Sequence, residues 1–214
     1  DNKNVHLMVG QLRGTFSGSS LKLFNNLTVF GSNGQIAGTY DKVHLVPFGE
    51  YLPLRPLLGP LLKDVSLLGL DISAGKSANP LRIGTVEAGA TICFESTLPR
   101  IARQRVRRGA QFLVVATNDA WFGDSPAAKI HFLMAPFRAV ETGRDIIQVA
   151  NTGISGIVNS TGQIKTQTEL NHPSVVIGAI EVRKRRTPYV MWGDIFPMAC
   201  ALAVLGALVL KKRV

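Results

Sequence analysis

The chain has 214 residues, 46% of them hydrophobic, which is enough for one sizeable core but not clearly for two. Its 24 lysines and arginines outnumber its 14 acidic residues, giving a formal net charge of +10. Because no basic–aromatic interleaving or nucleic-acid motif accompanies this charge, nucleic acid is disfavoured as a partner, and no Cys/His spacing predicts a metal or another cofactor.

The first half of the chain is predicted to be rich in strands. Residues 5–12 fit a strand. Residues 27–30 and 35–40 fit a β-hairpin, because the Asn-Gly pair between them is a strong turn signal. Residues 52–80 are rich in Leu, Pro and Gly without clean periodicity, so they are predicted to form a long apolar loop. Such a loop is unusual inside a compact domain unless it has a function.

The second half alternates between strand and helix patterns, which predicts a layered α/β sandwich. The second helix carries a single apolar stripe, formed by Ile130, Leu133, Met134, Phe137 and Val140. The predicted helices are residues 98–108 and 127–144, and the predicted strands are residues 82–86, 88–94, 111–117, 146–150, 153–159, 163–167 and 175–182.

The C-terminal segment is the most apolar part of the chain. Residues 189–210 provide the roughly 20 mainly apolar residues that a spanning helix needs, with aromatic residues at one end and a basic stop at the other. A buried core helix is the alternative, but the basic stop and the chain end favour a membrane span. Beside such a span, the basic cluster at residues 183–186 is expected to attract anionic lipid head groups.

Two short segments carry candidate chemistry. Cys93 ends a predicted strand just before a helix, where the helix N-terminus and nearby cations favour a thiolate, although a lone cysteine is more often an inert core residue. Lys42 ends another predicted strand; it could be a solvated charge, or its ammonium could stabilise an oxyanion if it faces Cys93. Glu50 and Glu95 are candidates for a general base or for orienting the lysine, and a strand continued to residue 95 would point Cys93 and Glu95 to one face.

At these residues the chain resembles a known superfamily. Residues 34–45 resemble the lysine motif of the nitrilase (carbon–nitrogen hydrolase) superfamily, and Ile92-Cys93-Phe94-Glu95 resembles its cysteine motif. Residues 46–53 (VPFGEYLP), residues 118–123 (NDAWFG) and the terminal apolar helix further resemble the C-terminal half of the apolipoprotein N-acyltransferase family within it.

The resemblance implies a fold and a location. The fold would be an αββα nitrilase-like sandwich over residues 1–186, incomplete at its N-terminus, followed by a transmembrane helix and short basic tail over residues 187–214. The domain would lie on the periplasmic side of the bacterial inner membrane. The apolar stretch at residues 52–70 would help form its lipid-facing mouth and contact acyl chains. A monomer without cofactors is expected.

The resemblance also implies an activity: an acyl chain moves from a membrane phospholipid to the N-terminal amine of an apolipoprotein through a cysteine thioester. The implied roles are nucleophile for Cys93, catalytic lysine for Lys42, supporting carboxylates for Glu50 and Glu95, and substrate contacts for Phe94, Asn118 and Trp121.

One departure from the superfamily pattern changes what is expected of this chain. The superfamily's general-base glutamate sits on a strand before the lysine motif, yet no glutamate precedes Glu50. The polar start without an initiator methionine agrees with a fragment of a longer enzyme, predicted to be inactive by itself unless Glu50 or Glu95 substitutes as base. The alternatives are a nitrilase-type amidase acting on a small amide and a catalytically dead, membrane-tethered binding module.

Overall fold

The first sheet of the protein is an antiparallel meander. In the computed structural model, which describes residues 5–18, 20–58, 60, 71–123 and 125–211, strands β1 (Leu7–Ser17), β2 (Ser20–Phe30) and β3 (Ile36–Asp41) pair in that order. The predicted hairpin between β2 and β3 is confirmed: the Gly34 N–H donates to the Gly31 carbonyl at 2.9 Å. Because β3 ends at Asp41, Lys42 is the first residue beyond the sheet.

Strand β2 is longer than its sequence indicates. Its first half carries Asn25 and Asn26, which are poor strand formers and interrupt the apolar pattern. The Asn26 side chain is nevertheless buried, and its amide donates to the Asp41 carboxylate at 2.7 Å. Partners on β3 and beyond therefore stabilise strand residues that local preference would place in a loop.

The second sheet has six strands in sequence order: β4 (Leu81–Ile83), β5 (Val86–Ile92), β6 (Phe112–Thr117), β7 (Ile146–Ala150), β8 (Gly156–Val158) and β9 (Ile164–Gln167). The central strands β5, β6 and β7 are parallel, and the other pairings are antiparallel. The carboxyl ends of the three parallel strands meet at one edge, which is where sheets of this kind place their sites. Cys93 and Asn118 follow β5 and β6 at this edge.

Two cores hold the layers together. Helices α2 (Pro99–Arg107) and α3 (Ala127–Thr142) pack on one face of the second sheet, around Val106, Leu113 and Phe132. The first sheet packs on the other face, around Leu27, Val29 and Phe112. The layers are helix, sheet, sheet, which confirms the predicted α/β sandwich; the second helical layer of the αββα arrangement is not among the described residues.

Three short helical segments join or follow these layers. The first is α1 (Arg55–Leu58), which lies within the predicted apolar loop; residues 59 and 61–70 of that loop fall outside the described residues. The other two are 3₁₀ turns, at Cys93–Thr97 after β5 and at Asp119–Phe122 after β6. Both turns lie at the carboxyl edge of the second sheet, so they carry the candidate site.

The apolar stripe of α3 does not face the core. Ile130 and Phe137 are 54% and 59% exposed, whereas Ala128, Phe132 and Ala139 are buried. Small residues let the helix lie close to the sheet, so packing selects the alanine face even though the other face is more apolar. The stripe predicted from helical periodicity exists, but it lies on the surface.

The strand predicted at residues 175–182 is wrong. That segment has no regular strand pairing: the Glu181 N–H donates to the Asp145 carboxylate at 3.0 Å instead of to a neighbouring strand. Val175 and Ile177 are 87% and 90% exposed. The β-branched composition indicated a strand, but in this structure the segment is irregular and no neighbouring strand pairs with it.

The C-terminal segment also differs from its prediction. Gly193 and Asp194 divide it into α4 (Pro188–Trp192) and α5 (Ile195–Lys211), and Gly193 has φ +66°, which ends the first helix. Within the described ranges, no helix is long and apolar enough to cross a membrane. The prediction of one spanning helix over residues 189–210 is therefore not supported by the structure.

Candidate active site

The backbone at Cys93 is strained. Cys93 follows β5 directly, begins the 3₁₀ turn and has φ +51°, in the left-handed region that non-glycine residues rarely adopt. Its side chain is half-buried. Nucleophiles in enzymes often lie at a sharp turn between a strand and a helix, within reach of solvent. The position of Cys93 therefore argues against an inert core cysteine.

Lys42 is not a solvated charge. It is 1% exposed, and its Nζ forms an ion pair with Glu50 at 2.8 Å. Glu50 is fixed in turn by the N–H of Val46 at 2.8 Å and by the side-chain amide of Asn25. A lysine without access to water needs such a counter-charge, so this pair keeps an ammonium group ready beneath the surface.

Glu95 connects the lysine segment to the cysteine segment. One carboxylate oxygen accepts the N–H groups of Val43 at 3.0 Å and His44 at 2.9 Å, directly after Lys42. The other oxygen accepts the N–H of Ile92 at 2.9 Å, directly before Cys93. Because one fully buried carboxylate binds both segments, the chain segments that carry Lys42 and Cys93 lie next to each other in the fold.

Strand β5 does not continue to Glu95. The prediction that Cys93 and Glu95 point to the same face of one strand is therefore wrong. The strand ends at Ile92, and the 3₁₀ turn directs Glu95 into the interior, where it is 0% exposed. Its contacts are therefore structural ties between two chain segments.

Tyr40 and Arg105 complete the surroundings of Glu95. The Tyr40 hydroxyl donates to the carboxylate at 2.7 Å, and Arg105 donates to the Tyr40 oxygen while its guanidinium lies 4.6 Å from the ring centre. Burial, followed by the nearby charge of Glu95, raises the pKa of Tyr40 far above its usual value. The phenol therefore stays neutral and keeps donating its proton to Glu95.

A second buried network lies behind the backbone of Cys93. The His131 ring on α3 contacts Asp119 through Nδ1 at 3.0 Å, and contacts the Ser96 hydroxyl and the Cys93 carbonyl oxygen through Nε2 at 2.9 and 3.2 Å. All three side chains are nearly inaccessible to solvent: Ser96 and His131 are 4% exposed and Asp119 is 1% exposed. Ser96 is too buried to act as a nucleophile itself, and its hydroxyl donates to the Cys93 carbonyl at 2.9 Å.

The three predicted substrate contacts lie on the surface near these networks. Phe94 and Trp121 are 43% and 55% exposed; Phe94 directly precedes the buried Glu95, and Trp121 lies two residues after the buried Asp119. Asn118 is exposed, and its side-chain oxygen caps the following turn by accepting the Ala120 N–H at 3.2 Å. The structure thus gathers exposed aromatic and amide groups beside the loops that carry Cys93 and Asp119.

Sequence reasoning did not identify five further residues of this site: Tyr40, Ser96, Arg105, Asp119 and His131. The sequence gives only a weak indication of these residues, because each is a single polar residue within a segment that a strand, helix or turn already explains. In the described part of the chain, no group of His, Cys, Asp and Glu is arranged to hold a metal. Two surface hollows of about 420 and 510 Å³ are lined mainly by basic residues, and neither includes Cys93 or Lys42.

Comparisons with known proteins agree with this geometry. Residues 2–189 match the carbon–nitrogen hydrolase family. The chain is 39% identical to apolipoprotein N-acyltransferases from Geobacter metallireducens and Gloeobacter violaceus, over 92% and 84% of this chain. It spans 38% and 35% of the length of those relatives. A carbon–nitrogen hydrolase from Helicobacter pylori has a similar fold, with a TM-score of 0.61 and 16% identity over 77% of this chain and 58% of that chain.

Proposed function

Since the chain belongs to the carbon–nitrogen hydrolase family, we propose that it carries the catalytic cysteine and lysine of an apolipoprotein N-acyltransferase. The acyl donor would be a membrane phospholipid and the acceptor the N-terminal amine of an apolipoprotein. The observation that carries this proposal is the convergence of the Lys42 and Cys93 segments on the single buried carboxylate of Glu95.

The proposed reaction has two half-reactions. The thiol proton of Cys93 passes to a general base, the thiolate attacks the ester carbonyl of the phospholipid, a thioester forms, and the lysophospholipid leaves with that proton on its oxygen. The acceptor amine then attacks the thioester carbonyl, an amide forms, a proton leaves the amine nitrogen, and the thiol is restored. A covalent intermediate of this kind divides one difficult transfer into two easier ones.

Lys42 would stabilise the oxyanion that forms in each half-reaction. Its buried ammonium, held by Glu50, needs no reorganisation to meet a developing negative charge, and it acts where water does not screen it. Glu95 is assigned to holding the two segments together, because its oxygens are occupied by backbone N–H groups and the Tyr40 hydroxyl.

The apolar surface of the protein supports a lipid substrate. Trp121 and Phe94 present aromatic surface beside the site, and α5 exposes Phe196 and Leu202 at 77% and 68%. Uncovered apolar surface of this extent marks contact with lipid or protein. We propose that these groups contact the bilayer, with Phe94, Asn118 and Trp121 nearest to the reacting acyl group and the domain on the periplasmic side of the inner membrane.

The test is intact mass spectrometry after incubation with phosphatidylethanolamine in detergent. This chain and an upstream-extended version are compared, each with its Cys93→Ala variant. An acyl adduct mapped to Cys93 in the extended version only supports the proposal and places the base upstream of residue 1. An adduct in both forms means that residues of this chain suffice for acylation and that no upstream base is needed. Absence of the adduct from both, with hydrolysis of a small amide, would instead support an amidase.

A further inference from the structure

His131 offers a property that the proposed mechanism does not yet use. It joins the nucleophile turn to the loop that carries Trp121, since Asp119 belongs to the same 3₁₀ turn as Trp121 and its carboxylate contacts the ring of His131. At its other end the ring contacts the carbonyl oxygen of Cys93. The network is buried, so its hydrogen bonds cannot be exchanged for bonds to water without opening the fold.

The hydrogen-bond partners of the ring lie on both turns. Nδ1 faces the Asp119 carboxylate, which accepts a hydrogen bond from it. Nε2 faces both the Cys93 carbonyl and the Ser96 hydroxyl. Nε2 can donate to that carbonyl or accept the Ser96 proton, and each arrangement ties the ring to the turn that carries Cys93.

Asp119 is itself held in place by its neighbours. Its N–H donates to the Thr152 carbonyl at 2.7 Å, and the Thr117 hydroxyl donates to its carboxylate at 2.7 Å. Gly153 packs against it so closely that a Cβ at that position would lie 2.5 Å from the carboxylate oxygen. A larger residue at position 153 would displace Asp119. The loop at residues 151–153 therefore packs against the carboxylate and holds it in place.

We propose that His131, hydrogen-bonded to Asp119, is a positioning residue that holds the turn at Cys93 through the Cys93 carbonyl and Ser96. The contacts of Ser96 and His131 with this one carbonyl fix the peptide plane after Cys93, and this plane sets ψ of Cys93, next to its left-handed φ of +51°. The direction of the thiol follows from that backbone geometry. This inference rests on the proposed function, because it assigns Cys93 as the nucleophile.

The variants separate positioning from stability. His131→Phe keeps a planar ring but removes both ring nitrogens and their hydrogen bonds, and Ser96→Ala removes the hydroxyl with little change in volume. His131→Gln retains a side-chain amide that can still donate towards the Cys93 carbonyl. Thr142→Val is the matched control: Thr142 is also buried on α3 and its hydroxyl donates to the Arg138 carbonyl, but it is remote from the described Cys93 contacts.

The first measurement is the single-turnover rate of Cys93 acylation in the intact protein as the cell makes it, with thermal stability followed in parallel. A misplaced nucleophile costs on the order of 10²-fold in rate, so His131→Phe should lower the rate by about that factor with little change in KM. Ser96→Ala should have a smaller effect, and His131→Gln should recover part of the rate. The inference is overturned if His131→Phe and Ser96→Ala, like the control, lower the melting temperature only.

A second measurement does not need the acyl donor. Iodoacetamide alkylates the Cys93 thiolate directly, so its second-order rate constant, followed on the Cys93 peptide because Cys200 is also a free thiol, reports the reactivity and access of the nucleophile without the acyl donor. If no protein is acylated but alkylation of Cys93 slows in His131→Phe and not in Thr142→Val, the proposed function fails and the positioning role stands. If alkylation is unchanged in His131→Phe and in Ser96→Ala, the positioning role fails. Nitrogen-15 NMR of the His131 ring should show a protonated Nδ1; an unprotonated Nδ1 would contradict the hydrogen bond to Asp119.

Discussion

Two glutamates of this protein, Glu50 and Glu95, look alike in the sequence and occupy opposite kinds of environment. Glu50 faces a cation, because its carboxylate pairs with the Lys42 ammonium at the edge of the site. Glu95 faces backbone N–H groups from two separate chain segments and the hydroxyl of Tyr40. The first sets the charge on which chemistry depends, and the second holds the framework. Four substitutions test this division, from the largest expected effect on stability to the smallest.

Glu95→Gln is expected to have the largest effect. An amide has one accepting oxygen, so its NH₂ group would face either the Ile92 N–H or the N–H groups of Val43 and His44. Buried donors would then face another donor and have no acceptor. Breaking such a buried charged network costs about 3–5 kcal/mol. Urea unfolding should show this loss, while Glu169→Gln on the exposed surface should change the free energy of unfolding by less than about 0.5 kcal/mol. Equal stability of the two variants would remove the structural role assigned to Glu95.

Glu50→Gln is expected to affect chemistry more than stability. The amide oxygen can still accept from Lys42, but the counter-charge is gone, so the buried ammonium is disfavoured. We expect a loss of about 1–3 kcal/mol in stability and of roughly 10²-fold in the acylation rate. Quenched-flow acylation measures the rate, and urea unfolding measures the free energy of unfolding. A variant with full rate would show that Lys42 does not depend on Glu50 for its charge.

Tyr40→Phe removes one donor from Glu95 and leaves the backbone donors in place. Arg105 also loses its contact with the phenolic oxygen, but keeps its bond to the Ala90 carbonyl at 2.8 Å. The expected destabilisation is about 1–3 kcal/mol, as for a buried hydrogen bond with one partner removed. Because burial raises the pKa of Tyr40, the phenolate absorbance that appears in a titration up to pH ~10, near the ordinary tyrosine pKa, should come from the other two tyrosines and be equal in the native protein and in Tyr40→Phe. A larger phenolate signal in the native protein than in Tyr40→Phe below that pH would contradict the neutral donor.

Trp121→Ala is expected to change stability least. The indole is 55% exposed and contributes little to the core, so the free energy of unfolding should move by less than about 1 kcal/mol. If the indole contacts the acyl donor, KM for the phospholipid should rise several-fold with a smaller change in kcat. Exposed Phe137 on α3 provides the control: Phe137→Ala removes an aromatic ring of similar exposure from a different surface. The same KM change in both variants would indicate general lipid adhesion.

Much of the fold could be predicted because it depends on short-range patterns. The Asn-Gly turn places the β2–β3 hairpin, and the buried strand β6 reads as a continuous apolar run. The exposed α3 stripe and the irregular segment at residues 175–182 could not be predicted in this way. Periodicity identifies a helix face but does not say which face a neighbour will cover, and β propensity does not supply a partner strand.

The sequence by itself determined the candidate nucleophile and lysine, because Cys93 and Lys42 each stand at a recognisable strand end within a motif. Only the tertiary structure decided what surrounds them. Glu95 accepts the N–H groups directly after Lys42 and lies 53 residues from that lysine along the chain. His131 contacts the Cys93 carbonyl and lies 38 residues from that cysteine. These contacts exist only once the sheets and α3 have packed. A hydrogen bond acts over about 3 Å, and no local pattern records which distant groups folding will bring within that distance.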